Sequence, residues 1–374
     1  MNSIKIRLSA LLSFCSLAVI LSSCNEPSKQ TSAPDIDDFL SFTPKVIQSI
    51  DHTGELYFSH LGYESVVLNN GNIVFADRQI PTIVVINEKG ELQKEVPSGR
   101  GPGEILDAYY FTKGADGSIY TYDQDNDKII IFDEYFNLDK EIIPPKYKSS
   151  SLLNVYRGKS DQLFFEMASH DYFEDLEKEK VNVLVQYDVE SERFLNEFTI
   201  RAQPYARLIL DGQVRGAAKV PYATGTITAY NTEEGSLFIY DTGTDVIAEI
   251  DAQFDTLNSI RVNLPSESIS SAERDSLKSS YNFPEQWKTV EELLPKLKAP
   301  ADKMIYHQGE FWLKSNIETD TEMWLVVGVD GGIDRVVHLP KESILMHVSE
   351  EHLGVRLDDV TFALLTNPKP EPLD

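Results

Sequence analysis

A pattern of short strands returns in register along this chain. Three segments share a leading glycine, a run of β-branched and aromatic residues and a closing aspartate: Gly71–Asp77, Gly117–Asp123 and Gly235–Asp241. Ten residues after each aspartate comes a second polar turn residue: Asn87, Asp133 and Asp251. Apolar runs bounded by Gly, Asp and Asn are typical of strands and turns. A unit of about 40–50 residues made only of short strands predicts a β-propeller blade.

Six such units account for the chain from residue 40 onward. They lie at about 64–97, 104–144, 151–202, 222–264 and 302–340, and a sixth begins at Ser343. The sixth unit lacks a strand, which the unassigned residues 42–58 can supply. We therefore predict that 40–374 form an all-β, six-bladed propeller of four-stranded antiparallel blades. The N-terminal strand completes the C-terminal blade, so that no sheet edge is left unpaired.

One segment breaks the strand pattern. Ser270 and Glu273 have the spacing of a helix capping box, and Pro284 opens a second helical stretch. Apolar residues then recur at helical spacing: Trp287, Val290, Leu293, Leu294 and Leu297. We predict a helical insertion at about 266–299, before blade five, whose apolar stripe packs on the propeller.

The N-terminus has the pattern of a targeting segment. In residues 1–23 two basic residues precede the apolar run Leu8–Leu21, which is too short for a comfortable membrane span. Leu21–Cys24 resembles the bacterial lipobox, whose cysteine is acylated and becomes the first residue after cleavage. The resemblance implies a lipoprotein signal peptide at 1–23, lipidation at Cys24 and a polar tether at 24–39. An ordinary signal peptide with a chance cysteine is the alternative.

Charge and cysteine content limit the partners and the sources of stability. The chain has 60 acidic against 34 basic residues, a net charge of −26. Such a chain repels nucleic acid and anionic lipid head groups, so we expect no nucleic-acid partner. Once a signal peptide carrying Cys15 is removed, Cys24 is the only cysteine. Intramolecular disulfides are then impossible, and the fold must depend on a large apolar core.

The second unit carries the most specific resemblance. Its segments Ser98–Glu104, Gly114–Asp123 and Asn126–Asp133 look like an NHL-type propeller repeat. The chain after residue 23 resembles the bacterial six-bladed β-propeller lipoproteins, an NHL-like or TolB-like group mostly of unknown function. The helical insertion and the segment Gly309-Glu-Phe-Trp312 also match that group. This resemblance implies the fold and a lipid-anchored place in the bacterial cell envelope, with the outer membrane favoured, on either its periplasmic or its surface face. It implies little about function.

The glycine-rich segment Gly99–Glu104 supplies the first candidate site. No Lys-Ser/Thr pair follows it and it joins strands instead of opening a helix, so a phosphate-binding loop is disfavoured. Connections of this kind line propeller entrances, where binding groups concentrate. We therefore predict a binding face at one propeller mouth formed by Arg100, Glu104 and His307. An ion bridge between Arg100 and Glu104 that stabilises the loop is the structural alternative.

A second segment superficially matches a calcium-binding loop. Asp123, Asp125 and Asp127 alternate, with Glu134 at the twelfth position. Lys128 stands where that loop requires glycine, and a strand-like run follows it. We interpret Asp123 as a turn residue of the blade repeat.

Two functions remain open. The first is a non-enzymatic envelope lipoprotein whose propeller binds a protein, peptide or glycan without a cofactor. This function is favoured because two common catalytic motifs, Gly-x-Ser-x-Gly and His-Glu-x-x-His, do not occur in the sequence. The alternative, which the NHL-like resemblance implies, is a metal-dependent lyase or lactonase-type hydrolase with one divalent cation, such as calcium, in the propeller channel. Side chains on predicted inner strands and their connections could hold that ion: Glu64, Glu104, Asn154, Asn231 and His307.

Overall fold

A computed structural model describes residues 34–108, 110–158, 162–210, 213–281 and 283–369. The predicted signal peptide, Cys24 and most of the predicted tether lie outside these ranges. Strands dominate the described residues. None of the helices in these ranges is long and apolar enough to cross a membrane.

The N-terminal elements precede the first complete blade. They are a short 3-10 helix and four strands: Ile36–Asp38, then β1 Ser41–Phe42, β2 Val46–Ile50, β3 His52–Thr53 and β4 Leu56–Tyr57.

Three four-stranded blades follow in chain order. Blade 1 consists of β5 Leu61–Val67, β6 Ile73–Asp77, β7 Thr82–Ile86 and β8 Leu92–Val96. Blade 2 consists of β9 Thr112–Lys113, β10 Ile119–Asp123, β11 Lys128–Phe132 and β12 Leu138–Ile142. Blade 3 consists of β13 Ser150–Arg157, β14 Gln162–Ser169, β15 Val181–Asp188 and β16 Arg193–Arg201, with helix α1 Asp171–Glu174 between its second and third strands.

One insertion precedes blade 4 and a second precedes blade 5. The hairpin of β17 Tyr205–Leu210 and β18 Gln213–Lys219 precedes blade 4, which consists of β19 Thr226–Asn231, β20 Ser236–Asp241, β21 Val246–Ile250 and β22 Thr256–Arg261. Helices α2 Ser271–Ser280 and α3 Pro284–Leu293 precede blade 5, which consists of β23 Ala301–His307, β24 Glu310–Ser315, β25 Glu322–Gly328 and β26 Ile333–Leu339. Blade 6 contains β27 Ile344–Val348, β28 His352–Arg356 and β29 Phe362–Thr366.

The N-terminal segment closes the propeller, as the sequence predicts. β2 pairs antiparallel with β29, from Val46 opposite Leu365 to Ile50 opposite Phe362, and so becomes the fourth strand of blade 6. β1 pairs parallel with β26 of blade 5, which ties a second blade to the same segment. The predicted six-bladed architecture, with four-stranded antiparallel blades, is confirmed.

The last residues of the predicted tether, which ends at residue 39, pack on the propeller. The 3-10 helix Ile36–Asp38 lies inside that tether, and Ile36 and Phe39 pack against the apolar cluster between blades 4 and 5. These residues are therefore part of the propeller's packing.

The apolar core lies between neighbouring blades. Among the described residues each of the six blade interfaces has its own buried cluster. At the interface of blades 6 and 1, Phe362 stacks on Phe75 with ring centroids 5.1 Å apart. Burial of such side chains stabilises the fold by about 1.5–3 kcal/mol each. The interfaces that close the ring are therefore a main source of the propeller's stability.

The repeated aspartates hold one blade to the next. The carboxylate of Asp123, at the end of β10, accepts hydrogen bonds from the backbone N–H groups of Leu106 and Asp107, both at 2.9 Å. Asp77, at the end of β6, accepts one from the N–H of Ser59 at 2.5 Å. In both cases the donor lies in the connection that arrives from the preceding blade. The interpretation of Asp123 as a turn residue is consistent with this geometry, since its oxygens are used by the backbone.

The polar residue ten positions later shapes a four-residue turn. The side chains of Asn87, Asp133 and Asp251 each accept hydrogen bonds from the backbone N–H groups two and four residues on. The residue three positions after each has a positive φ: 77° at Gly90, 62° at Phe136 and 66° at Phe254. The strand that follows each turn is offset by one residue in its pairing with the strand before it.

The two insertions pack on each other. Trp287 and Val290 of α3 are buried against Ala206 of β17 and Val220, which follows β18. Helix α2 has the predicted capping box at Ser270, in which the Ser270 hydroxyl accepts from the Glu273 N–H. The predicted apolar stripe is buried only in part, because Leu293 and Leu297 are exposed.

Candidate functional site

A cavity of about 510 Å³ occupies the propeller channel. Its wall is formed by residues of the first strand of every blade: 64–69, 111–115, 154 and 156, 228–233, 303–308 and 346–349. Several of these residues belong to the turns that follow the first strands. The mouth therefore lies at the end of the channel where the innermost strands finish.

Glu64 lies deep in the cavity, on β5. Its carboxylate accepts one long hydrogen bond among the described residues, from the N–H of Phe111 at 3.4 Å. Burial raises the pKa of this carboxyl, and the nearby Lys303 ammonium opposes that shift only in part. A carboxylate has about four acceptor positions, so most of those on Glu64 remain open to a bound molecule.

Lys303 extends from blade 5 to two other blades. Its ammonium donates to the backbone carbonyl of Leu345 at 3.0 Å and to that of Tyr63 at 3.3 Å. Burial lowers the pKa of this lysine. The side chain thereby joins the innermost strands of blades 5, 6 and 1 beside Glu64, at the closure of the ring.

A second polar network lies in the wall at blade 3. The Tyr156 hydroxyl donates to the carboxylate of Glu166 at 3.1 Å, and the Asn182 amide donates to the same carboxylate at 2.9 Å. The amide of Asn154 donates to the Tyr156 oxygen at 3.1 Å. Burial raises the pKa of both Glu166 and Tyr156. These groups satisfy one another and form a rigid polar wall.

Charged and aromatic side chains lie closer to the mouth. Lys113 donates to the backbone carbonyl of Val67 at 2.8 Å, and burial lowers its pKa. Tyr306 packs against Phe238 with centroids 4.4 Å apart. His307 follows it at the end of β23; burial lowers its pKa, and its Nε2 atom is buried without a partner among the described residues.

Ser65 and His347 form the nearest approach to a nucleophile–base pair. The Ser65 hydroxyl lies 2.5 Å from Nδ1 of His347. Both are buried, with 4% and 7% of their surface exposed. Burial lowers the pKa of His347 to about 3. A histidine of such low basicity is poorly matched to remove a proton near neutral pH, and the hydrogen bond to Ser65 joins two blades.

Arg100 and Glu104 do not line this cavity. Both residues lie in the connection that leads to the start of β9, whereas His307 is the last residue of β23. The innermost strands of all blades run in the same direction along the channel. The start of β9 and the end of β23 therefore lie toward opposite ends of the channel. Glu104 accepts a hydrogen bond from the Gly101 N–H at 2.6 Å and makes no ion pair with the exposed Arg100. A Cβ at Gly99 would stand 1.9 Å from the Glu104 carboxylate, which explains the glycine. The structure therefore does not bring the three predicted binding residues to one mouth.

The alternative metal ligands are only partly brought together. Glu64, Asn154, Asn231 and His307 all line the cavity, but Glu104 does not. The side-chain oxygen of Asn231 already accepts from two backbone N–H groups, at 3.2 and 3.3 Å, and that of Asn154 accepts from one at 3.0 Å. Across the described ranges, no three His, Cys, Asp or Glu side chains are grouped to hold a metal ion. The residues present therefore do not fit a divalent-cation site.

The sequence did not single out Lys113, Lys303 or the Tyr156–Glu166 pair. A usable signal existed for Lys303, because it is a charged residue in the predicted innermost strand of blade 5. Glu166 gave none, since it lies on the second strand of its blade, and only the pairing of Asn154 with Glu166 in the structure places it beside the channel.

Comparisons with known proteins support the fold. No protein-family profile matches the sequence, and no curated protein is similar to it. A member of the DUF4221 family from Bacteroides vulgatus is 11% identical with a TM-score of 0.53, and the match covers 86% of this chain and 97% of that one. A protein from Bacteroides fragilis, named as exported, is 12% identical with a TM-score of 0.51, over 89% of this chain and 100% of that one. At such identities the likeness shows the fold alone. Membership of a lipoprotein group stays a prediction.

Proposed function

We propose that this protein is a binding module of the bacterial cell envelope, anchored by a lipid on Cys24, which holds a peptide, a glycan or part of a protein in its channel cavity. The cavity carries the proposal, because it combines open polar groups with aromatic walls inside a rigid ring. Ligand sites usually have this character: a concave, pre-formed pocket with a few placed polar groups. The predicted binding residue His307 lines this cavity, whereas Glu104 is better assigned to stabilising an inter-blade connection and the exposed Arg100 lies outside the cavity.

Binding is favoured over turnover by the state of the reactive groups. Ser65 is paired with a histidine whose low pKa makes it a weak base, and Lys303 is fixed by two carbonyls. The metal-dependent lyase or lactonase reading needs a cation site that the cavity residues do not provide. That reading would be revived by metal-dependent turnover of lactones or esters by the purified protein, abolished by a chelator.

The ligand proposal is tested by a binding screen. Purified mature protein is exposed to peptide and glycan libraries, and binding is followed by the shift in melting temperature. His307→Ala should weaken any hit, because its side chain lines the cavity, whereas Arg100→Ala should leave the affinity unchanged. Equal loss in both variants would place the site elsewhere.

The anchor is tested separately. Cells are fed an alkyne-tagged palmitate analogue and the protein is captured. Wild-type protein should carry the label and Cys24→Ser should lose it. Equal labelling of both would refute lipidation at Cys24. Since each buried methylene contributes only about 0.8 kcal/mol, stable anchoring requires more than one acyl chain.

A further inference from the structure

Three charged side chains in the cavity have unused hydrogen-bonding capacity. Glu64 accepts a single long hydrogen bond, from the N–H of Phe111 at 3.4 Å. Lys113 donates one of its three N–H bonds, to Val67, and Lys303 donates two. Among the described residues neither ammonium makes an ion pair with a carboxylate. The cavity therefore presents an anion and two cations that are not paired in a salt bridge, although the Lys303 ammonium lies near enough to Glu64 to oppose the rise in its pKa.

Such groups are costly to keep charged. Removing an ion from water is penalised by several kcal/mol unless an opposite charge compensates. The raised pKa of Glu64 and the lowered pKa values of Lys113 and Lys303 are the expected response to this burial. A ligand that brings a cation to Glu64 and an anion to a lysine relieves the penalty at both. A neutral saccharide would leave both charges uncompensated.

The spacing of the charges indicates how long such a ligand is. Glu64 and Val67 lie three residues apart on β5, which corresponds to about 10 Å at the usual strand rise. The Lys113 ammonium is bonded to the Val67 carbonyl, whereas the Glu64 carboxylate lies at the N–H of Phe111, two residues before Lys113. These two reference points place the charges about 7–10 Å apart along the wall, with Lys113 nearer the mouth. An extended peptide of three residues spans about 10 Å.

We propose that the cavity binds a short zwitterionic peptide of two or three residues, with its α-ammonium on Glu64 and its terminal carboxylate on Lys113. The inference rests on the proposed function, because it names the ligand class of the same cavity. The aromatic wall at Tyr306 contacts the ligand's side chains near the mouth. Lys303 holds the innermost strands together beside Glu64 and leaves the anion of the ligand to Lys113.

The test compares matched ligands by calorimetry with purified, lipid-anchored mature protein in detergent. The probes are tripeptides with free ends, the same tripeptides N-acetylated or C-amidated, and neutral trisaccharides. Free tripeptides should bind, and each blocking group should weaken binding at least tenfold because it removes one charge. Saccharide binding without peptide binding would overturn this inference while leaving the proposed function intact. Binding of neither class would overturn this inference, and it would overturn the proposed function as well if the library screen also gave no ligand.

Two variants assign the ends of the ligand. Glu64→Gln keeps the shape of the side chain and should abolish the preference for a free N-terminus over an acetylated one. Lys113→Met should abolish the preference for a free C-terminus over an amidated one. Arg100→Gln, an exposed charge change outside the cavity, should keep both preferences. Cooperative melting of each variant confirms folding, and unchanged preferences in the two cavity variants would refute the assignment.

Discussion

The Ser65 hydroxyl and Nδ1 of His347 meet at 2.5 Å across the interface where the propeller ring closes. Ser65 lies on the first strand of blade 1 and His347 on the first strand of blade 6, so residues 282 apart in sequence share one buried hydrogen bond. A Cβ at Gly354 would lie 2.1 Å from the His347 ring, which shows how closely the imidazole is packed. The seam that completes the fold thus contains a titratable group held neutral.

This relationship makes stability depend on pH. The pKa of His347 is lowered from 6.5 to about 3 in the folded protein, so between these values the unfolded chain binds a proton that the folded chain does not. His347 therefore destabilises the fold progressively as the pH falls below 6.5, with a slope of up to about 1.4 kcal/mol per pH unit, and has no such effect above 6.5. Urea unfolding of wild type and His347→Gln from pH 4 to 7 should give a shallower pH dependence for the variant. Parallel profiles would show that His347 is not held neutral.

The aspartate that holds blade 2 to its incoming connection is a second test. Asp123→Ala leaves the N–H groups of Leu106 and Asp107 without their acceptor in a site where Asp123 itself is fully buried. We expect a loss of about 1.5–3 kcal/mol in the free energy of unfolding. Asp125→Ala, in the exposed turn two residues later, should change it by no more than about 0.5 kcal/mol. Calcium should stabilise neither protein, because the Asp123 oxygens already accept backbone hydrogen bonds. A calcium-dependent rise in melting temperature would contradict the turn interpretation and favour a calcium-binding loop.

The sequence predicts the blades because each carries its own local signal. Asp123 and Asp133 flank the five-residue strand β11 and accept hydrogen bonds from backbone N–H groups, so the repeat visible in the sequence is the repeat of turn, strand and turn. Closure by residues 42–58 could also be predicted, since one incomplete blade and one spare strand permit a single arrangement.

The site is less predictable because it depends on distances between blades. Lys303 contacts carbonyls 42 and 240 residues away in sequence, and no local pattern specifies such contacts. The prediction of a shared mouth did not consider strand direction. Arg100 precedes the start of an innermost strand, whereas His307 lies at the end of one. Leu293 and Leu297 fit the helical stripe but are exposed; α3 ends at Leu293, so Leu297 does not lie on the helix that the stripe predicts.

A buried lysine holds the two ends of the helical insertion together, just before blade 5 begins. Lys298 has 2% of its surface exposed, and its ammonium pairs with Glu267 at 2.6 Å and with Glu273 of the α2 capping box. Lys298→Met removes the cation and leaves two carboxylates near each other, so we expect a loss of about 3 kcal/mol in the free energy of unfolding. Lys178→Met breaks the pair with Asp171, in which both side chains are about half exposed, and should change the free energy of unfolding far less because solvent screens this pair. Urea titration measures both, and equal losses would contradict the assigned role of Lys298.

Closure by the N-terminal strand gives the last prediction. Deleting residues 25–33 should leave the melting temperature unchanged, because the packing of Ile36 and Phe39 against the core is retained. Deleting residues 25–58 removes β2 and so exposes the edge of β29, and it also removes Phe58 from the cluster at the closing seam. An unpaired strand edge is a template for pairing between molecules, so this variant should aggregate. Size-exclusion chromatography and thermal melting distinguish the outcomes, and a monomeric, cooperatively melting product of the longer deletion would show that the ring closes without its N-terminal strand.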